Sequence, residues 1–287
     1  MTISGTTITG NLASGGTGGA DAAGLAGFTG GVAAGGGIST SITQLTISDS
    51  TLGGNRAVGG AGTFGSPGGI AQGGGLVSAD SNITITGTLV VNNQAVGGAG
   101  APGSSNGNGG AGGDAQGGGI DMTIGLLDSF APLIGQISSP ATLTFTGGLL
   151  ADNLAEGGVG GDGDGSGIGG VGGSGIGGAA ANAANSILTF KNSILIGNRA
   201  QGGLGGLGAA TGQGLGGGVS NAAPLALNQL PGGMLIMTDT LVTGNLADGD
   251  QGLGGGLNLS DGSTTQLTRT IIVGNRASSA DDNIHGS

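Results

Sequence analysis

Asp162-Gly163-Asp164-Gly165-Ser166-Gly167 sets carboxylates at alternate positions of a glycine-rich stretch, as in the first half of a calcium loop, where hard oxygen ligands wrap one cation. The second half is missing, with no Glu at the twelfth position, so calcium on Asp162 and Asp164 is an expectation carried by half a motif. Other chemistry-bearing residues are sparse. The 287 residues hold 5 Lys and Arg, 16 Asp and Glu, one His and no Cys, Trp or Tyr. Thiolate catalysis, disulfides and zinc–thiolate sites are thereby excluded. A glycosidase needs two facing carboxylates within about 10 Å, and a lyase needs a base beside cations. Asp49, Asp152 and Asp239 are dispersed, Lys191 is isolated, Arg56, Arg199 and Arg276 are well separated and His285 lies near the end, so the residues assemble no catalytic constellation. A formal net charge of -11 leaves no basic surface for phosphates or anionic lipid, and no apolar run is long enough to span a bilayer. The reading is non-enzymatic, with neither nucleic acid nor membrane insertion.

Such sparse groups must be positioned by repetition. An Asn two residues before an Ala occurs at Asn11, Asn55, Asn93, Asn153, Asn198, Asn245 and Asn275. The residue three before this anchor is Ile8, Leu52, Val90, Leu150, Leu195, Val242 or Ile272. The residue eight before is Ile3, Ile47, Ile85, Phe145, Phe190, Met237 or Leu267. Both columns are wholly apolar, and polar residues alternate with them at the period of two that a half-buried strand requires. Each repeat is one coil of a β-solenoid. Stacked at one turn, the seven Asn are expected to form an internal ladder of side-chain amides. Thr2, Thr46, Thr84, Thr144 and Thr189 form a column nine before the anchor, and Thr6, Ser50, Thr88, Ser193, Thr240 and Thr270 another at five before. Hydroxyl rows spaced at the ~4.8 Å of stacked strands would suit ice or a crystalline polysaccharide; Thr is also an ordinary outward strand residue.

Between anchor and next coil runs a Gly-rich excursion ending in signals such as Gly35-Gly36-Gly37-Ile38 and Gly73-Gly74-Gly75-Leu76. The excursions cover 15–37, 59–75, 97–119, 157–178, 202–218 and 249–256, and Gly recurs at every third position, as in Gly157, Gly160, Gly163 and then Gly169, Gly172, Gly175, Gly178. Three residues per turn with Gly on one edge implies polyproline-II geometry, called polyglycine II here, which lacks internal hydrogen bonds and must pair with neighbours or water. Each excursion therefore reads as an out-and-back hairpin stacked on that of the next coil, an arm of about ten residues projecting roughly 30 Å. Two longer connections, 121–142 and 220–234, read as corner insertions. In the first, Leu126–Ala131 has the pattern of a short helix ended by Pro132.

The pairing of Gly-Gly-Gly-Ile at Gly35–Ile38 with Leu52-Gly53-Gly54-Asn55 resembles the GGA[ILV] and FxxN repeats of polymorphic outer-membrane proteins and related bacterial surface proteins. This chain departs from them in using Leu, Ile or Val for the Phe of FxxN and in its long Gly-every-third excursions. The resemblance implies a right-handed parallel β-helix, a position outside the cell or on a bacterial surface, and adhesive or structural work; it carries over no catalytic residue. The expected object is an all-β, right-handed parallel β-helix of about seven coils spanning 1–287, with a side array of polyglycine-II hairpins, read as a fragment of a longer protein. Its expected role is an adhesin-like stalk or scaffold that self-associates end to end or laterally, or grips a cell-surface or polysaccharide ligand, with no cofactor beyond the calcium expectation. Ice binding through flat Thr or polyglycine-II faces and polysaccharide lyase or hydrolase activity are the alternatives. Neither terminus shows a polar capping segment, so unpaired strand edges are expected at both solenoid ends.

Overall fold

A computed structural model describes residues 1–20, 27–123, 140–222 and 230–286. Within them the chain is a parallel β-solenoid of seven coils. The second coil shows the plan: strands Gln44–Ser48, Thr51–Gly53 and Arg56–Val58, an excursion, then Ala71–Gln72 and Leu76–Ala79. Each strand pairs in parallel with its counterparts in the coils above and below. The result is four seven-stranded sheets and one of six strands, numbered here 1 to 5 in the order in which a coil visits them. Sheet 4, beginning at Ala33–Ala34, is the six-stranded one.

The pairing register is the one the anchor implies: Ile3 lies beside Ile47, Ile47 beside Ile85, Ile85 beside Phe145, Phe145 beside Phe190, and Phe190 beside Met237. Both apolar columns face inward, and their members in coils two to six are fully buried, whereas Leu267 in the last coil is 42% exposed. Phe145 and Phe190 stack in successive coils with ring centroids 5.9 Å apart, tilted by 59°, within the usual range for favourable aromatic pairs. A second, thinner core holds Ala57, Ala95 and Ala155 of sheet 3 against Ala33, Ala71 and Ala115 of sheet 4. That is why the anchor Asn is followed two residues later by Ala. Sheets 3 and 4 meet at the root of the excursions, where a larger side chain would force them apart.

Corners are made by left-handed backbone. Six residues before each anchor stand Gly5, Asp49, Gly87, Gly147, Asn192, Asp239 and Arg269, all at positive φ. One residue before it stand Gly10, Gly54, Asn92, Asp152, Gly197, Gly244 and Gly274, likewise. Gly, Asn and Asp are the residues that tolerate this conformation, and Arg269 is the exception. Its guanidinium grips Asp239, the corner residue of the preceding coil, through two bonds at 2.5 and 2.6 Å.

Both corner insertions are shorter than their sequence bounds. Asp121–Thr123 belong to the sheet 5 strand Ile120–Thr123, and Thr142 to the sheet 1 strand Ala141–Thr146. Ser220 and Asn221 complete the strand Val219–Asn221, and Met234 opens Met234–Thr238. The hydrogen-bond ladder with neighbouring coils holds these residues in strand. The helix expected at Leu126–Ala131 lies outside the described residues.

Candidate functional site

The excursions form an ordered array. A continuous path of backbone bonds, 2.7 to 2.9 Å long, alternates between outgoing and returning arms. Gly212 N–H donates to Gly203 O, Gly203 to Gly173, Gly173 to Gly158, Gly158 to Gly113, Gly113 to Gly98, Gly98 to Gly69, Gly69 to Gly60, Gly60 to Gly31, and Gly31 to Gly16. Bonds between arms of the same direction recur every third residue: Gly97, Gly100 and Gly103 donate to Glu156, Val159 and Asp162 of the next coil. Two of every three backbone N–H groups are thus paired inside the array, which answers the bonding need of a helix that makes no internal bonds. Glycine is imposed by close approach. A Cβ on Gly60, Gly98 or Gly158 would collide with the carbonyl oxygen of Gly16, Gly60 or Gly98.

The third residue of each triplet faces out, and its N–H is left over. Side chains of neighbouring arms accept several of these protons. Asp162 Oδ1 accepts from Leu207 N at 2.7 Å, Asp114 Oδ1 from Ser174 N at 2.7 Å, and Asn108 Oδ1 from Ile168 N at 3.0 Å. Asp164 Oδ2 takes the Asn106 N–H at 3.3 Å. The two carboxylates named for calcium therefore reach in opposite directions, Asp162 toward the arm of the next coil and Asp164 toward that of the preceding one. Among the described residues no group of three or more His, Cys, Asp or Glu is placed to share a cation.

All seven anchor asparagines form one ladder. Asn11, Asn55, Asn93, Asn153, Asn198 and Asn245 each donate from Nδ2 to Oδ1 of the next, at 2.8 to 3.0 Å. The same Oδ1 accepts the backbone N–H of the preceding Asn, and from Asn55 onward each Nδ2 also donates to a carbonyl of the coil before. Past Asn275 the acceptor is Asn283 Oδ1, at 3.0 Å. The closing segment thus carries a polar ladder cap that sequence spacing did not show, because Asn283 follows its neighbour by eight residues with no excursion between.

Thr2, Thr46, Thr84, Thr144 and Thr189 stand in register on sheet 1. The first three are exposed, Thr144 is half-buried and Thr189 is buried, so the open part of the column spans the first coils only. The column five before the anchor faces inward instead. Ser50, Thr88, Ser193 and Thr240 are buried, each hydroxyl donating to the carbonyl two residues earlier. Arg199 pairs with Asp248 at 2.7 Å across one coil step, and His285 Nδ1 lies 2.6 Å from Asp281. These are pairwise contacts on different coils.

Sequence reasoning missed Asp121. Ile120 and Met122 point into the core, so Asp121 between them faces the other side of sheet 5, into the angle where sheets 4 and 5 meet. A cavity of about 300 Å³ lies there, lined among others by Gln72, Gln116, Asp121, Thr123 and Ser220. Asp121 is 1% exposed, and its Oδ2 has no hydrogen-bond partner among the described residues. Burial pushes its carboxyl up to about 7. The available signal was an acid in a column otherwise occupied by Ser39, Val77, Ala181, Ser220, Asn258 and, in the closing segment, His285.

No family model and no curated protein matches this chain. A solved structure, the TibC-catalysed hyper-glycosylated TibA fragment, aligns over 99% of this chain and 99% of its own at 11% identity with a TM-score of 0.12, a likeness that carries no argument.

Proposed function

We propose that the chain is a non-catalytic surface or scaffold module that works through the broad faces of its glycine array. The carrying observation is the unbroken hydrogen-bonded path from Gly212 to Gly16, which ties the backbone of five of the six excursions into one slab, the short 249–256 excursion lying off it. On that slab the outward triplet positions carry exposed apolar side chains, Val159 and Leu204 on outgoing arms and Ile168 and Val171 on returning ones. Apolar groups held on a stiff face suit association with a flat partner, because little conformational entropy remains to be lost on contact. A second copy is the simplest such partner, giving lateral assembly through the array faces, with end-to-end stacking of the terminal coils as the other route of self-association. A placement outside the cell or on a bacterial surface belongs to the same proposal and rests on the repeat-motif resemblance. Electron microscopy of the purified chain tests it: fibres or sheets are expected, and monodisperse short rods at all concentrations would overturn self-assembly.

A second reading is ice binding through the open Thr2, Thr46 and Thr84 hydroxyls, which lie in register at strand spacing. Thermal hysteresis or faceted ice growth supports it, and ordinary ice growth at high protein concentration removes it.

A further inference from the structure

The cavity between sheets 4 and 5 has a chemistry of its own. Its floor is Asp121, fully buried and facing away from the core, with Oδ2 unpartnered among the described residues. Around it the polar groups are only partly used. Gln72 Nε2 donates to Gln116 Oε1 at 3.3 Å and to Thr123 Oγ1 at 2.8 Å, while Asn258 Nδ2 donates to Ser220 Oγ at 3.2 Å. Among the described residues, Gln116 Nε2 and the hydroxyl protons of Thr123 and Ser220 find no acceptor, and the acceptors Gln72 Oε1, Asn182 Oδ1 and Asp121 Oδ2 find no donor. Ile176 and Ala181 supply an apolar wall.

We propose that this cavity binds a neutral polyhydroxylated ring, one unit of a carbohydrate, with Asp121 accepting a hydrogen bond from a ligand hydroxyl. Three observations select that class. The volume is at the small end of sites for discrete ligands, about 300 Å³, so it admits one ring rather than a chain segment. The leftover groups include both donors and acceptors, and a hydroxyl satisfies both, whereas a metal ion or an ammonium group satisfies acceptors alone. A single carboxyl supplies too little charge to strip a divalent cation of its water. Leaving a buried acceptor unpaired is unfavourable, and a ligand hydroxyl would recover that loss. The carboxyl's raised pKa fits the same environment, since a neutral acid can also donate to a sugar oxygen.

This site is separate from the array faces, so it stands or falls independently of self-assembly. The test is NMR titration of the whole chain with methyl glycosides of glucose, galactose, mannose and N-acetylglucosamine, following the side-chain amides of Gln72 and Gln116. Saturable shifts with at least one glycoside are expected, weakened at least tenfold in Asp121→Leu and retained in part in Asp121→Asn, which keeps an acceptor. Melting curves of both variants verify folding. Where Asp121→Leu does not fold, Gln116→Leu serves as the second disabling variant. Absence of shifts with every glycoside overturns the proposal. So do shifts produced by calcium chloride or methylammonium in their place, and glycoside shifts unchanged in both disabling variants.

Discussion

An interior ladder amide has four bonds to lose. Asn153 Nδ2 donates to Val90 O at 2.8 Å and Asn198 Oδ1 at 2.9 Å, and its Oδ1 accepts the backbone N–H and the Nδ2 of Asn93 at 3.0 Å each. Asn153→Ala strands these partners in a buried corner with no water to replace the amide, so a loss of roughly 3 kcal/mol or more is expected. Asn11, at the ladder's start, donates only to Asn55 Oδ1, and Asn11→Ala should remove about 1 kcal/mol. Urea midpoints of the two variants provide the comparison, and equal shifts would refute a ladder whose strength depends on interior position. Asp121 acts with the opposite sign to most carboxylates. Its folded pKa, about 7, lies above the ordinary 3.8 because burial disfavours the anion. The folded state therefore holds this proton more tightly than the unfolded one. Its contribution is fully present below about pH 4 and is lost as pH rises through 7. Asp121→Asn should leave stability unchanged at about pH 3.5 and raise it at about pH 8, by at most about 4 kcal/mol for three units of pKa. A variant that falls with pH as steeply as the wild type would show that Asp121 does not titrate in this way.

At the scale of the arm, the triplet assigns each position a separate job: one bonds to the arm of the next coil, one to the oppositely directed arm, and one faces out. Position therefore outweighs chemistry in deciding what a substitution does. Gly158 lies on the path between outgoing and returning arms, and a Cβ there would strike the Gly98 carbonyl oxygen. Gly158→Ala should break the bonds that Gly158 makes with Gly113 and Gly173. Hydrogen exchange at the Gly158 and Gly173 amides should then accelerate by about tenfold for each ~1.4 kcal/mol of bonding lost. Val159, the next residue, faces out and is 48% exposed, so Val159→Ser should leave exchange in the array unchanged although it alters the side chain more. The same logic explains Asp162 and Asp164. Their sequence looks like the start of a metal loop, and at the arm tips each carboxylate accepts an N–H that the array leaves over, Asp162 from Leu207 and Asp164 from Asn106. If exchange responded to Val159→Ser as to Gly158→Ala, close packing would not be what fixes glycine in the arms.

Across the whole molecule, what was legible in the sequence is what repeats. Ile47, Ile85, Phe145 and Phe190 announced their column because parallel register places equivalent residues on top of one another, and the Gly period of three foretold hydrogen bonds at every third residue. Less legible were features created by breaks in alternation or by non-repeating neighbours. Ser50 and Thr88 read as outward hydroxyls, but the left-handed corner residues Asp49 and Gly87 just before them reverse the facing of the chain and turn them inward. The burial of Asp121 depends on the angle between sheets 4 and 5, which no single column encodes. A repetitive stack also distributes its stability unevenly, because each coil is held by its two neighbours and the outermost coils have one. Ile3 and Ile8 in the first coil and Ile272 in the last are half-buried, where their counterparts in coils two to six are sealed. Hydrogen-exchange protection on sheet 1 should therefore climb from Ile3 to a maximum around Phe145 and Phe190, then fall toward Leu267, with the slowest amides several orders of magnitude more protected than those at the ends. Uniform protection would instead mean that the seven coils open as one cooperative unit. Concentration separates the assembly routes within the same experiment. End-to-end stacking supplies the missing neighbour and should slow exchange at Ile3 and Leu267 as protein concentration rises, whereas lateral contact through the array faces leaves that gradient intact and protects the outward residues of the arms.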